Sequence, residues 1–250
     1  MVKPSESNAL RQLPLTLLVS QIIDVATDHA NLLGIGFLNL EPEGKGWVLS
    51  RLAVEMSRWP STGEHYTLST WVEDWNPHFS ERCFSVVSES GETLGYVRSV
   101  WMIIDLNSHR GLGTASLNLD EECIRGKGFC PITRNAKNRP FQPEETRDYT
   151  FKFTDLDYYC HVNTVRYISI LQNQFSLDFY RTHRLSRFEI AFFHEAKYGE
   201  TVTIDSHAEA VTVNNSESGE DTTWEAEKII FRLSTAENQI LDSALIFAHS

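Results

Sequence analysis

The chain has 250 residues and a formal net charge of −12 at pH 7, a balance that excludes a protein binding nucleic acid over its whole surface. An apolar content of 41% is enough for a sizeable core. No apolar run approaches the roughly 18 residues of a membrane span, and Met1-Val2-Lys3-Pro4-Ser5 lacks the basic-then-apolar pattern of a secretion signal, so a cytoplasmic protein is expected.

In the first half, Leu15, Leu18, Val19, Ile22, Val25, Ala26, Ala30 and Leu33 recur at three- and four-residue steps. They form one face of an amphipathic helix, stopped by Gly34 and Gly36. After a polar turn at 41–46 the period changes to two. Strands are predicted over 47–56, 65–75, 79–87 and 94–106, separated by the turn formers Pro60-Ser61-Thr62-Gly63, Asn76-Pro77 and Glu89-Ser90-Gly91-Glu92.

Residues 107–148 carry little periodicity and read as a connector. Within them Arg125, Lys127, Arg134, Lys137 and Arg139 form a basic cluster in an otherwise acidic chain. It is either a solvated loop or a docking patch for an acidic partner. The second half then restarts the same programme. A short strand over 149–153 precedes a helix marked by Val165, Ile168, Leu171, Phe175 and Phe179, which ends near Arg181-Thr182-His183-Arg184. Strands are predicted over 187–193, 201–210, 224–234 and 240–248, with a polar loop at 214–220.

The two halves repeat. At an offset of 136, Leu49-Ser50-Arg51 falls on Leu185-Ser186-Arg187, Gly63-Glu64 on Gly199-Glu200 and Thr67 on Thr203. The apolar pattern follows in Leu52/Phe188, Val54/Ile190 and Leu68/Ile204. A long apolar helix followed by antiparallel strands, twice over, predicts an α+β fold: a tandem hot-dog, each half a helix wrapped by an antiparallel sheet. The boundaries are set at 1–110 for the first half, 111–148 for the connector and 149–250 for the second.

Polar chemistry is concentrated in the second half. Asp155-Leu156-Asp157-Tyr158-Tyr159-Cys160-His161-Val162-Asn163-Thr164 places carboxylates, a thiol, an imidazole and an amide at the mouth of the second helix. Unpaired backbone N–H groups there favour negative charge. At the repeat offset, Trp59 of the first half corresponds to Glu195 of the second, and no polar cluster like this one is read before the first helix. One working site, in the second half, is therefore expected. Asp157 and Asn163 are also good helix-capping types. Cys160 beside His161 suggests a nucleophile, but adjacent side chains point in different directions. The four cysteines, Cys83, Cys123, Cys130 and Cys160, have no spacing of a zinc module, so no metal is expected.

This stretch, with Trp47-Val48-Leu49-Ser50-Arg51, Arg58-Trp59-Pro60, Trp75-Asn76-Pro77 and Ser99-Val100-Trp101, resembles the acyl-acyl carrier protein thioesterases, double hot-dog enzymes. The second-half signature of that family is similar to D-x-D-x-N-x-H-V-N-N before a helix. The resemblance implies hydrolysis of an acyl thioester on acyl carrier protein without a cofactor. It implies Asp157 and His161 as family residues, Glu195 as the group that activates water, and Asn163 as the asparagine after the histidine. It also departs from the family in three places. Tyr159 stands where the family has an asparagine, Ala196 follows the glutamate, and the strand before the first helix is missing or short.

The expected chemistry follows from that set. Glu195, flanked by Phe192, Phe193 and Ala196, is expected in apolar surroundings that raise its pKa toward that of a general base. His161 is expected to orient the water or donate to the carbonyl, with Asp157 fixing it. Backbone N–H groups at Val162 and Asn163 are the expected oxyanion donors, and Tyr159 is an altered positioning residue. The other readings are hydrolysis of acyl-CoA and a non-catalytic acyl-binding protein. The basic cluster is the expected carrier-protein dock, the protein a monomer or homodimer, and the acyl length is not legible in the sequence.

Overall fold

A computed structural model describes residues 1–249, apart from 118–123, 125, 127, 136–137 and 216–221. The chain divides into two compact units, Met1–Arg134 and Asn135–Ser250.

In the first unit, helix α1 (Leu15–Leu32) buries Leu15, Leu18, Val19, Ile22, Ala26 and Ala30, the stripe its periodicity predicts. Burying each large member of that stripe contributes about 1.5–3 kcal/mol. The helix ends at Gly34, which takes φ +73°, and a short helix α2 (Phe37–Leu40) follows. Four strands succeed it: β1 (Lys45–Met56), β2 (Tyr66–Trp75), β3 (Ser80–Ser88) and β4 (Thr93–Asp105). They pair antiparallel in the order β2-β3-β4-β1. Helix α1 lies on one face of this sheet, where the Tyr66 hydroxyl meets Gln21 Oε1 at 2.5 Å. The other face carries a cluster of Ala53, Cys83, Cys130 and Ile132. Arg98 fastens the covering segment by donating to Ile132 O at 3.0 Å and Cys130 O at 2.9 Å.

The second unit contains β5 (Glu145–Thr150), α3 (Thr164–Gln172), α4 (Leu177–Thr182), β6 (His183–Phe192), β7 (Thr201–Asn215), β8 (Thr222–Ser234) and β9 (Gln239–His249). Its strands pair antiparallel in the order β6-β9-β8-β7-β5. The predicted single second helix is two. Ser176 Oγ accepts from Phe179 N–H at 3.1 Å and starts α4 afresh, since a side-chain oxygen there competes with helix continuation. The residues taken as a polar helix end begin β6 at His183, and β7 runs on to Asn215. Phe175, Phe179 and Tyr180 pack edge-on against Phe247 at 4.9–6.2 Å between ring centroids. That aromatic cluster seats the helices on the sheet.

The repeat at offset 136 is visible in backbone detail. Both β1 and β6 carry an irregularity at the corresponding place, between Leu49 and Arg51 and between Leu185 and Arg187. Gly63 and Gly199 close equivalent turns at φ +88° and +77°, a conformation glycine adopts without steric penalty. Among the described residues of the first unit no strand corresponds to β5. No described helix is long and apolar enough to cross a membrane.

Candidate functional site

The site is built on the loop between Asp157 and His161. Asp157 Oδ1 accepts two backbone N–H bonds, from Tyr159 at 2.9 Å and His161 at 3.2 Å. The Asp157 N–H donates to His161 O at 2.8 Å, and the Cys160 N–H to Asp157 O at 3.1 Å. Cys160 is thereby held at φ +63°, a sparsely populated conformation that persists because five residues are cross-braced around it. Asp157 thus sets the place of His161 through the main chain. Asp155, buried, takes the Tyr149 hydroxyl at 3.0 Å and the Lys152 N–H at 2.8 Å, which makes it a bracing residue for the same segment.

The second wall is the turn at 193–197. His194 Nδ1 lies 2.9 Å from Gln239 O. Ala196 is fully buried and held at both ends of its peptide. Its O accepts from Val162 N–H at 2.9 Å, and its N–H donates to the Tyr167 hydroxyl at 3.2 Å. A bridge of His161 with Lys197 completes a short stretch of ladder. The result is that Glu195, 34 residues downstream in sequence, brings Oε2 to 3.4 Å from His161 Nε2. The imidazole is 17% exposed and the carboxylate 41% exposed. Glu195 therefore lies at the open side of the pair, and the enclosure expected from Phe192, Phe193 and Ala196 is not found.

The first unit holds the same loop with different side chains. Asn8 Oδ1 accepts from Leu10 N–H at 2.9 Å and Gln12 N–H at 3.0 Å. Asn8 N–H donates to Gln12 O, and Arg11, at φ +60°, donates its N–H to Asn8 O. Leu13 N–H meets Pro60 O at 2.8 Å, and Gln12 bridges to Ser61. These bonds match those of the second unit at an offset of 149 before the helix and 136 after it. The loop was thus duplicated with the fold, contrary to the expectation that the first half lacks a counterpart. Asn8, Gln12 and Trp59 stand where the second unit has Asp157, His161 and Glu195, so the imidazole–carboxylate pair belongs to one copy.

Val162 and Asn163 do not offer the N–H groups expected of them as oxyanion donors. Val162 N–H is engaged by Ala196 O, and Asn163 N–H by Asp155 O at 2.8 Å. Asn163 instead caps α3, its Oδ1 accepting from Val165 N–H at 2.9 Å. That bond occupies Oδ1 and leaves Nδ2 as the donor of the amide. Tyr159 is exposed, and its ring lies tilted against that of Tyr158 with centroids 4.0 Å apart.

Of the basic cluster, Arg125, Lys127 and Lys137 lie outside the described residues. Arg134 is engaged with buried Glu81, Nε to Oε2 at 2.5 Å, and Arg139 is exposed. Cys160 is exposed, whereas Cys83 and Cys130 are buried free thiols.

Tyr167 lies outside the apolar stripe read in the second helix and was not singled out from the sequence. Its ring is buried between Phe151 and Phe192, at 5.5 and 5.8 Å. Burial holds the phenol well above its ordinary pKa, and the charges of Glu195, Glu200 and Asp157 push it the same way. It stays neutral, with one proton to donate beyond the bond it accepts from Ala196.

Comparison with known proteins identifies the two halves separately. The family model described as the acyl-ACP thioesterase N-terminal domain matches residues 1–113, and that of the acyl-ACP thioesterase C-terminal domain matches residues 138–244. A palmitoyl-acyl carrier protein thioesterase of Gossypium hirsutum chloroplasts is 26% identical over 78% of this chain and 50% of its own. The chain spans about half the length of the plant relatives it matches. The solved structure of an acyl-ACP thioesterase from Bacteroides thetaiotaomicron is 27% identical with a TM-score of 0.82, covering 99% of this chain and 95% of that one. A 12:0-ACP thioesterase from Umbellularia californica, 16% identical, shares the fold with a TM-score of 0.81 over 100% of this chain and 92% of its own.

Proposed function

The chain belongs to the acyl-ACP thioesterase family, and on that premise we propose that it hydrolyses the thioester of an acyl chain carried on acyl carrier protein. The observation that carries the mechanism is the His161–Glu195 pair at 3.4 Å, present in one of two otherwise duplicated loops. A thioester carries its own good leaving group, because a thiol of pKa about 8.5 departs far more readily than an alcohol. The protein then needs an activated water and a donor for the carbonyl oxygen.

Glu195, at the open side of the pair, is the general base. His161, anchored by its backbone to Asp157, orients the water beside the pair, within reach of the carboxylate. The oxyanion donor is Asn163 Nδ2, whose amide is oriented by its capping bond. With a tyrosine at 159 no side-chain amide is supplied from that position, and the reaction rests on Glu195 and His161. Release of the free fatty acid would end chain elongation in a reducing, cytoplasmic compartment, which suits free thiols at Cys83, Cys130 and Cys160.

The test is turnover of acyl-carrier-protein thioesters of graded chain length by the pure protein, beside Glu195→Ala and the same acyl groups on coenzyme A. Steady hydrolysis lost in Glu195→Ala supports the reading. Equal rates for the two proteins refute an enzyme, and a preference for the coenzyme A esters refutes the carrier-protein substrate.

A further inference from the structure

The face of the first-unit sheet turned away from α1 carries two thiols in one small cluster. Trp71, Cys83, Arg98 and Ala53 are ladder partners across β2, β3, β4 and β1, and side chains directly opposite in a ladder share a face. The covering segment crosses this row. Gly126 N–H donates to Val72 O at 2.9 Å. Gly128 lies so close on Trp71 that a Cβ there would meet the indole at 2.5 Å. Cys130 then comes down on Cys83, in a buried cluster completed by Ala53 and Ile132. The two thiols lie within hydrogen-bonding reach of each other.

The two cysteines are unlike. Cys83 is fixed in the β3 ladder and fully buried. Its ionisation is pushed far up by the hydrogen bond to Cys130 and by burial. Cys130 is drawn below its ordinary value by the Cys83 hydrogen bond, against the effect of burial and with help from the Arg98 charge. Cys130 therefore ionises first, and its thiolate has a protonated thiol beside it.

Access follows from the covering segment. Cys130 is buried, but Phe129 and Pro131 on either side of it are exposed, so the thiol lies beneath a single pass of chain. Arg98 holds that pass by the carbonyls of Cys130 and Ile132, and Cys130 Sγ lies 3.9 Å from Val97 O. These contacts keep Cys130 over β3 and β4.

We infer that Cys83 and Cys130 form a reversible oxidation site, at which hydrogen peroxide converts the pair into a disulfide that ties the covering segment to β3. The Cys130 thiolate attacks one peroxide oxygen, the O–O bond breaks, and the departing hydroxide takes up a proton to become water. Sulfur is oxidised to the sulfenic acid. The Cys83 sulfur then attacks Cys130, the S–S bond forms, and the hydroxyl of the sulfenic acid leaves with the Cys83 proton as a second water. Two thiols and one peroxide thus give one disulfide and two waters. A dithiol reductant, itself oxidised to a disulfide, reverses the bond. Disulfides of reducing compartments are commonly of this transient, redox-sensing kind. Neither cysteine belongs to the second unit, so the site stands apart from the thioesterase reading.

In the experiment the whole protein is treated with hydrogen peroxide, remaining thiols are blocked with N-ethylmaleimide in denaturant, and the digest is read by mass spectrometry. Peptides joined through Cys83 and Cys130, lighter by two hydrogens than their reduced parts and separated again by dithiothreitol, are expected as the main oxidised product. Amide exchange at Phe129, Cys130 and Ile132 is expected to slow about tenfold or more in the linked protein. Cys83→Ser should leave a sulfenic acid on Cys130 that reacts with dimedone, and Cys130→Ser should leave Cys83 unlabelled. The joined peptides are read on the wild-type chain, so they decide the matter if either variant does not fold.

Cys130 joined instead to Cys123 or Cys160, a link between two chains, or both thiols still blocked by maleimide after peroxide overturns the site. Sulfinic acid on Cys130 without a link to Cys83, dimedone labelling of Cys83 in Cys130→Ser, or unchanged exchange in the linked protein overturns it as well.

Discussion

Replacing Asp157 separates two roles that the sequence leaves together: a charge acting in catalysis and an acceptor holding a loop. In the structure Oδ1 takes the N–H groups of Tyr159 and His161 at 2.9 and 3.2 Å. Hydrogen bonds to a charged acceptor contribute about 1.5–3 kcal/mol each when buried. Asp157 is only half-buried, so water recovers part of this when the side chain is removed. Asp157→Ala is expected to weaken the loop by about 2 kcal/mol, which corresponds to roughly thirtyfold faster amide exchange at Tyr159 and His161.

Asp157→Asn keeps an Oδ1 in place. The first unit already runs the same bonds on Asn8, at 2.9 and 3.0 Å. The asparagine variant should therefore exchange within a few-fold of wild type and retain most of kcat/KM. The alanine variant should lose about a hundredfold in kcat/KM, since a misplacement of about 1 Å is enough for that. The assay is hydrogen exchange at the loop amides beside turnover of the same preparations. If Asp157→Asn exchanges slowly yet is as inactive as Asp157→Ala, the carboxylate charge enters the chemistry and the loop-holding argument is wrong.

Tyr167→Phe keeps the packing on Phe151 and Phe192 but leaves the buried Ala196 N–H without its acceptor. A loss of about 1–3 kcal/mol in stability is expected. A fall in kcat with little change in KM should accompany it, because Ala196 carries Glu195; wild-type stability and kcat together would refute this. Gly199→Ala meets no atom within 4 Å of the new Cβ, so only the φ of +77° opposes it. Its cost should be about 1–2 kcal/mol, and a denaturation midpoint showing a much larger loss would mean a packing constraint that the structure does not contain.

His29 is held below its ordinary value of 6.5, by burial first and by the Arg82 charge second. Between that depressed value and 6.5 the unfolded chain binds more protons, so stability rises with pH across this window and the contribution is complete above it. Relative to His29→Gln, which can still accept from Arg82 but does not titrate, wild-type stability should fall as the pH is lowered through that window. A difference that stays flat from pH 5 to 8 contradicts it.

Much of the architecture was legible because it is written in periodicity. The α1 stripe, the alternation of the strands and the 136-residue repeat follow from burying one face of each element, and each such face constrains several residues at once. The break between α3 and α4 was not legible. Val165 to Phe179 keeps a helical apolar pattern, and a single serine hydroxyl at Ser176 redirects the backbone. The start of β6 was hidden for a related reason, since polar residues at 183–184 pair with β9 through their main chain.

By itself the sequence determined the duplicated helix-and-sheet plan, the residue types of the site and the family to which they belong. It did not determine that the site loop is itself duplicated. The matching bonds run from backbone N–H groups to an Asn or Asp oxygen, and they tolerate any side chains between. The offset also changes from 149 to 136 across the helices, so no window of identities survives. The pairing of His161 with Glu195 belongs to the tertiary structure as well. It is fixed by Val162 and Tyr167 gripping Ala196 from two sides, a long-range arrangement with no spacing rule. The contacts of Arg82 with His29 and Thr70 were decided in the same way: its sequence neighbours Glu81 and Cys83 point to the other face of the strand, and the residues it meets come from α1 and β2.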